Sequence, residues 1–560
     1  MNKALRSRGS RLLDAWKKLQ VSYYGGKYSI HRLLALETYT QTTSLFRAVV
    51  VCIWTPLPMI VLVFLLESVP LQDPKDGWQA NYGFWIRDAV VTFVIAHAST
   101  GEAVYFIDSF KISTRQLASL SGGVAIIFTA CAIAISACTI FPIPFFILVL
   151  TPIYNIIHII LFRVILGAQM LRQLLAQRKQ LIQYMNFLHA QIMMMFVYPV
   201  YEVLFRLVEG SKYQLPVILL LPLMKVAIKN IVLSCTKHVE DMTPELVIFT
   251  IDFFNAIYVA TCMQSATSAV AVSAIIITDL LQTIVTLYRL HRQTNGILTR
   301  FQSSIPGHDN LNNFLSASCS LCRNYEMFGK QTRSGITTFS SFPHRLSAAD
   351  TLLLIRLNLT DSTFNSSAVA SPPTVSDIPS RKCTVTPTKL WFLCTRKRNA
   401  EIRPSSSSLV RPELPQPVDS EELMLLRYSL ETFFTIECLV VTSYLEAVVP
   451  IFYTAYILVM VHLPSAQYHS EMAGVNQKNV GSTVLPVFVF GMLQIVSLVL
   501  LVVILKRNCG MKALYQLAFV LETHMWSIVS KLMVWMMITL CFRVVHFGVD
   551  FSFKFTNLGW

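Results

Sequence analysis

A chain of 560 residues that is 54% hydrophobic and only 14% charged, with a mean hydropathy of +0.54, is not a soluble globular protein. Apolar runs of about twenty residues recur along it, each enough to cross a hydrocarbon core of about 30 Å, which makes it a multi-spanning helical membrane protein. The formal net charge of +15 is then no sign of nucleic acid: the Lys and Arg fall between the apolar runs, where they orient helices and meet anionic lipid.

Residues 1–46 are polar and basic, with few acids. Leu12, Leu13, Trp16 and Leu19, then Ile30, Leu33, Leu34 and Leu36, form two amphipathic periods that suit helices lying on the cytoplasmic membrane face. No apolar stretch with a cleavage site precedes them, so no signal peptide is expected. Span 1 covers 48–66, and Thr55-Pro-Leu-Pro58 inside it predicts a kink. The connection 67–82, with Glu67, Asp73 and Asp76 against Lys75, reads as an ordered non-cytoplasmic loop.

Span 2 (84–107) is unusually polar. At about 100° per residue, Asp88, Thr92, Ser99 and Glu102 share one face while His97 points elsewhere. Spans 3 (118–140) and 4 (145–164) are joined by an uncharged Phe-Pro-Ile-Pro turn, and span 4 holds Asn155 and His158 one turn apart. The stretch 163–179 is basic and amphipathic, which marks a cytoplasmic continuation of span 4. Span 5 (191–208) is the least regular, carrying Pro199, Glu202 and Arg206.

Spans 6 to 8 fill 215–290 and hold charge where a spanning helix should have none. Lys225 and Lys229 lie one turn apart in span 6, Asp252 with Asn255 in span 7, and Asp279 in span 8. With alternating orientation, the two lysines and two aspartates fall at similar depth toward the cytosol. One buried ion-pair network then neutralises all four. Glu446, in the middle of span 9, is a further carboxyl at membrane depth.

Residues 291–425 change character to Ser, Thr, Pro and basic residues, which predicts a long disordered cytoplasmic loop with short apolar islands at 352–357 and 390–393. Spans 9 (433–461), 10 (484–504) and 11 (528–549) follow in the closing segment, 426–560. Basic connections fall on one side and acidic or neutral ones on the other, so eleven spans place the N-terminus in the cytosol and Trp560 outside.

The remaining motifs are weak. Twelve scattered cysteines, several inside apolar runs, argue against a disulfide framework. Cys319 and Cys322 form half of a zinc-ribbon pattern, but Cys383 and Cys394 are too widely spaced to complete it. Asn358 and Asn365 head glycosylation acceptor triplets that this topology keeps in the cytosol. Asp88 and Glu102 read first as caps at the ends of span 2, and His158 as a hydrogen-bonded bundle histidine. No phosphate-binding glycine loop, metal helix or nucleophile elbow is present, so neither catalysis nor a cofactor is expected.

Several stretches, YSIHRLLALE (28–37), TPLPMIVLVFLLE (55–67), PLQDPKDGWQANYGFWIRD (70–88), LPVILLLPLMKVAIKN (215–230) and FTIDFFNAIYVATCMQS (249–265), resemble a large family of multi-spanning membrane proteins from oomycetes. The resemblance covers the chain through span 8. It implies a membrane bundle and an oomycete source, and it brings no activity or ligand.

The fold expected is therefore an all-α polytopic transmembrane helical bundle of about eleven spans. Two functions compete. In the first, a secondary transporter or channel-like protein moves an ion or small solute past Lys225, Lys229, Asp252, Asn255, Asp279 and Glu446, with Asp88 and Glu102 as further candidates. In the second, a non-transporting scaffold or receptor uses its buried charges to hold helices together.

Overall fold

The computed structural model describes residues 28–107, 110–208, 210–211, 213–236, 244–266, 268–299, 313–323, 336–340, 344, 346–366 and 421–549. Among them the fold is all-α, with a single isolated β-bridge between His469 and Val544. Ten helices are long and apolar enough to cross a membrane: Leu45–Ser68, Tyr82–Phe106, Thr114–Cys138, Phe146–Leu166, Arg178–Leu207, Pro216–Leu233, Glu245–Ser265, Ala269–Thr299, Met424–Met460 and Val480–Cys509. An eleventh, Ala513–Thr523 with Met525–Cys541, is bent by 79°. They are numbered here as spans 1 to 11, and the chain is an integral membrane protein of the polytopic class.

Burial sorts the spans. Span 7 is buried all round, so it sits at the centre of the bundle with its few charged groups turned onto neighbouring spans. Spans 4 and 8 lie at the rim and turn Ile156, Ile159 and Ile160, and Ile277, Leu281 and Ile284, outward. A soluble surface tolerates no such patch, whereas a bilayer requires it. Span 1 breaks at Thr55 and Pro56, where the proline-rich stretch predicts its kink.

Three predicted boundaries move. The helix of span 4 stops at Gly167, whose φ of +87° ends it; a short helix Ala168–Ala176 intervenes, and the basic amphipathic stretch then runs into span 5 instead. Span 11 stops at Cys541 rather than 549. Beyond it Arg543 and His546 are polar groups with loop partners, and Val544 bridges to His469. Span 9 starts nine residues early, at Met424, within the helix Glu421–Met460.

The entry helix Ile30–Thr42 does not lie on the membrane surface. Its residues Ile30 and Arg32 through Glu37 are buried on all sides, because Arg32 reaches into the bundle. Ser29 caps the helix, and its first amides donate to Thr337 and Thr338 carbonyls at 3.0 and 3.1 Å. Two pieces of 291–425 are thus folded onto the bundle: helix Phe314–Arg323 packs on the entry helix, and Arg323 joins Glu37 (2.7 Å) to Asp350 (3.0 Å) on helix Ala348–Ser366. The loop expectation fails here because the buried face of Phe314–Arg323, including Phe314, Leu315, Cys319 and Cys322, is apolar at helical spacing. At its two ends the expected loop is helical instead, with 291–299 continuing span 8 and 421–425 opening the helix of span 9, while the island at 390–393 lies outside the described residues.

At the opposite end the loops are tied to each other. Glu67 takes Arg87 at 2.7 Å and His469 at 3.0 Å, Ser465 donates to the Glu67 carbonyl, and Arg543 pairs with Glu471. His546 faces the Gln72 carbonyl (2.8 Å) and Asn81 Oδ1 (3.0 Å), while Asn81 Nδ2 donates to Asp73 and Gly77 carbonyls. Both partners of His546 Nε2 are acceptors, so that nitrogen carries the proton. Burial, with Arg87 and His469 adding to it against the Gln72 carbonyl, pulls its pKa down to about 4, and the ring is neutral. Gly83 is required because any Cβ there would collide with the Pro70 carbonyl.

Candidate functional site

The charges of spans 6 and 7 meet. Lys225 and Lys229 reach Asp252 at 3.0 and 3.7 Å, and Thr442 donates to the same carboxylate at 3.0 Å. Asp252 closes the π-helical stretch Pro244–Asp252, a widened turn that places the carboxylate off the regular helical face. It has no solvent exposure. Lys225 also donates to Glu446 Oε1 at 2.8 Å, drawing span 9 into the cluster.

Asp279 differs from the expectation of one network for all four charges. It makes no ion pair with either lysine; Gln494 of span 10 donates to it instead. What joins it to the others is a cavity of about 140 Å³ lined by Lys225, Lys229, Asp279 and Glu446 with hydroxyls such as Thr442 and Ser443. On span 8 the lining runs from Asp279 to Arg289, and on span 9 from Thr435 to Glu446. At 1.5 Å per residue each wall is about 15 Å long, about half the hydrocarbon thickness. Arg289 lies near the basic end and Glu446 near mid-span, so this polar vestibule runs from mid-span toward the end that carries the entry helix. Asn255 is buried but does not line it.

Asp88 and Glu102 belong to a different site. With Thr92 and Ser99 they do share one face of span 2, which lines a cavity of about 580 Å³ among spans 2, 4, 5 and 11. Neither caps a helix end in water: Asp88 accepts from Thr129 at 2.9 Å, and Glu102 pairs with Lys531 at 2.8 Å, all four being buried. The correction follows from span 11 packing along span 2 and covering that face. His158 and Asn155 line the same cavity, with His158 Nε2 3.1 Å from the Thr100 hydroxyl. His97 turns away, stacked on Phe93.

A third cluster has no counterpart in the sequence reading. Arg32 bonds Glu437 (2.8 Å) and Glu245 (3.0 Å), Tyr28 donates to Glu437 (2.9 Å), and His524 lies 2.9 Å from Glu245, every member buried. Lys531, Glu437 and Glu245 carry a readable signal, being ionisable residues in or beside apolar runs. Arg32 carries none, because it stands in a basic segment.

The two thiols of the half-ribbon pattern are buried in helix packing, and no group of three His, Cys, Asp or Glu placed to hold a metal occurs among the described residues. Cys383 and Cys394 lie outside those residues. Comparison with protein-family models, with curated proteins and with solved structures finds no match to the chain.

Proposed function

We propose that the protein is a secondary transporter or channel-like protein and that the vestibule is one half of its pathway. The observation that supports this reading is a polar cavity reaching two mid-membrane carboxyls, Asp279 and Glu446. Both are partly exposed to it, while the lysines beside them are held by Asp252 and Glu446. Buried ionisable groups that face a wet cavity are suited to carrying a proton or coordinating a small cation. The Lys225–Glu446 pair and the Gln494–Asp279 bond sit at its inner limit, where a gate would have to open.

Asp252 favours the second reading in part. A carboxylate with no exposure, bound by two lysines and a threonine, is a clamp between spans 6, 7 and 9, as a scaffold or receptor would use. The experiment that separates the readings is flux of protons, small cations and small anions by the full-length protein in proteoliposomes. Asp279→Asn and Glu446→Gln are expected to abolish flux while leaving the purified protein monodisperse. Absence of flux in the unmodified protein, or undiminished flux in both variants, sinks the transport reading.

For orientation, the vestibule's mouth, the entry helix and the basic connections Lys111/Arg115, Arg172–Lys179 and Lys506/Arg507/Lys512 share one end, which the charge bias assigns to the cytosol and its anionic leaflet. Asn358 and Asn365, in helix Ala348–Ser366, are therefore expected to stay unglycosylated in a eukaryotic host. A glycosidase-sensitive mass shift removed by Asn358→Gln or Asn365→Gln reverses the orientation.

A further inference from the structure

The large cavity is unlike the vestibule in chemistry. Its wall is mainly apolar, and its lining on span 2 extends from Asp88 to Ile107, about 28 Å at 1.5 Å per residue. That is nearly the depth of a hydrocarbon core. At about 580 Å³ it falls in the range of pockets that enclose a whole small molecule. Ile159 of span 4 and Met185 and Ile192 of span 5 line it and are also exposed on the outer face of the bundle. The opening therefore lies between spans 4 and 5, on the surface that faces lipid.

Its charges are satisfied internally. Glu102 and Lys531 neutralise one another, Ser527 accepts from the same lysine at 2.9 Å, and Asp88 accepts from Thr129. An anionic headgroup would find no free cation among the described lining residues. Two donors are different. Gln191 Nε2 on span 5 and Trp535 Nε1 on span 11 are buried without a hydrogen-bond partner among the described residues, and both residues line the cavity. Indole N–H can only donate, and a donor left unmet at membrane depth is costly. Both nitrogens are closed off by their own packing, so an acceptor in the cavity meets one of them once its side chain turns toward the lumen.

We propose that this cavity binds an uncharged membrane lipid, a long apolar body carrying a hydroxyl or carbonyl oxygen, which enters from the bilayer between spans 4 and 5. The oxygen accepts from Trp535, whose indole can only donate, and the hydrocarbon fills the apolar length of the cavity. The site is separate from the vestibule and stands whether or not the protein transports.

The test uses the full-length protein in phosphatidylcholine vesicles with a monoacylglycerol bearing a diazirine in its chain. Light-induced labelling is expected to saturate, to map to spans 2, 5 and 11, and to be displaced by unlabelled monoacylglycerol but not by a fatty-acid anion. Ala98→Phe, which fills the cavity, is expected to remove the saturable labelling. Trp535→Phe keeps the ring and deletes one hydrogen bond, so it should weaken competition about fivefold. That milder variant decides the matter if Ala98→Phe does not fold. Non-saturable labelling spread over the outward faces of spans 4 and 8 overturns the proposal, as does equal displacement by the fatty-acid anion or unchanged competition in Trp535→Phe.

Discussion

Arg32→Leu is expected to destabilise the bundle by about 3–5 kcal/mol, because it strips a cation from two carboxylates that water cannot reach. Glu437 would keep the Tyr28 hydroxyl and Glu245 would keep His524, but both would lose the guanidinium they share. Coulomb repulsion and desolvation then act on both acids at once. The loss should appear as a lowered unfolding midpoint in detergent and as new protease sensitivity in the entry helix, which Arg32 anchors. The combination Arg32→Leu, Glu245→Gln, Glu437→Gln removes the charges together and should recover much of the stability, since a buried ionic cluster replaced whole is often close to neutral. A single variant within about 1 kcal/mol of the parent would show that the cluster is hydrated or unpaired in the membrane.

Lys225→Met is the second large effect, again about 3–5 kcal/mol, and here the geometry separates clamp from pathway. Asp252 would retain Lys229 at 3.7 Å and Thr442 but lose its closest cation. Glu446 loses the same partner, yet it borders the vestibule and can turn toward water. The stability cost should therefore be repaired by adding Asp252→Asn and not by adding Glu446→Gln. Unfolding of the two double variants measures this directly, with a coupling of about 1–3 kcal/mol expected for the Lys225–Asp252 pair. If Glu446→Gln repairs as much as Asp252→Asn, both acids are structural.

Much of this fold could be read from sequence because each span is a local signal: an apolar run of fixed length with basic residues at alternate ends. The shared face of Asp88, Thr92, Ser99 and Glu102 was legible for the same reason, following from helical period alone. Partners were not. Arg32 meets Glu245 and Glu437 across 213 and 405 residues, and Lys225 meets Glu446 across 221, distances over which no pattern in one sequence specifies a contact. The lysines and Asp252 could be matched by depth, but depth alone gave Asp279 the same partner. Gln494, a neutral residue in an apolar run, holds it instead. The entry helix misled because an amphipathic basic helix suits a membrane surface as well as a protein groove, and only Arg32's buried acids decide between them.

On the transport reading the charge cluster has a wet side, at Asp279 and Glu446, and a dry side, at Asp252. A water-soluble carbodiimide with a hydrophilic amine, applied to the full-length protein in proteoliposomes permeable to both reagents, tags carboxyls that water reaches. Peptide mass spectrometry should find Glu446 and Asp279 modified and Asp252 untouched. Modification of none of the three would mean that the vestibule is closed and dry, and that the buried charges of spans 6 to 9 serve only to hold helices together.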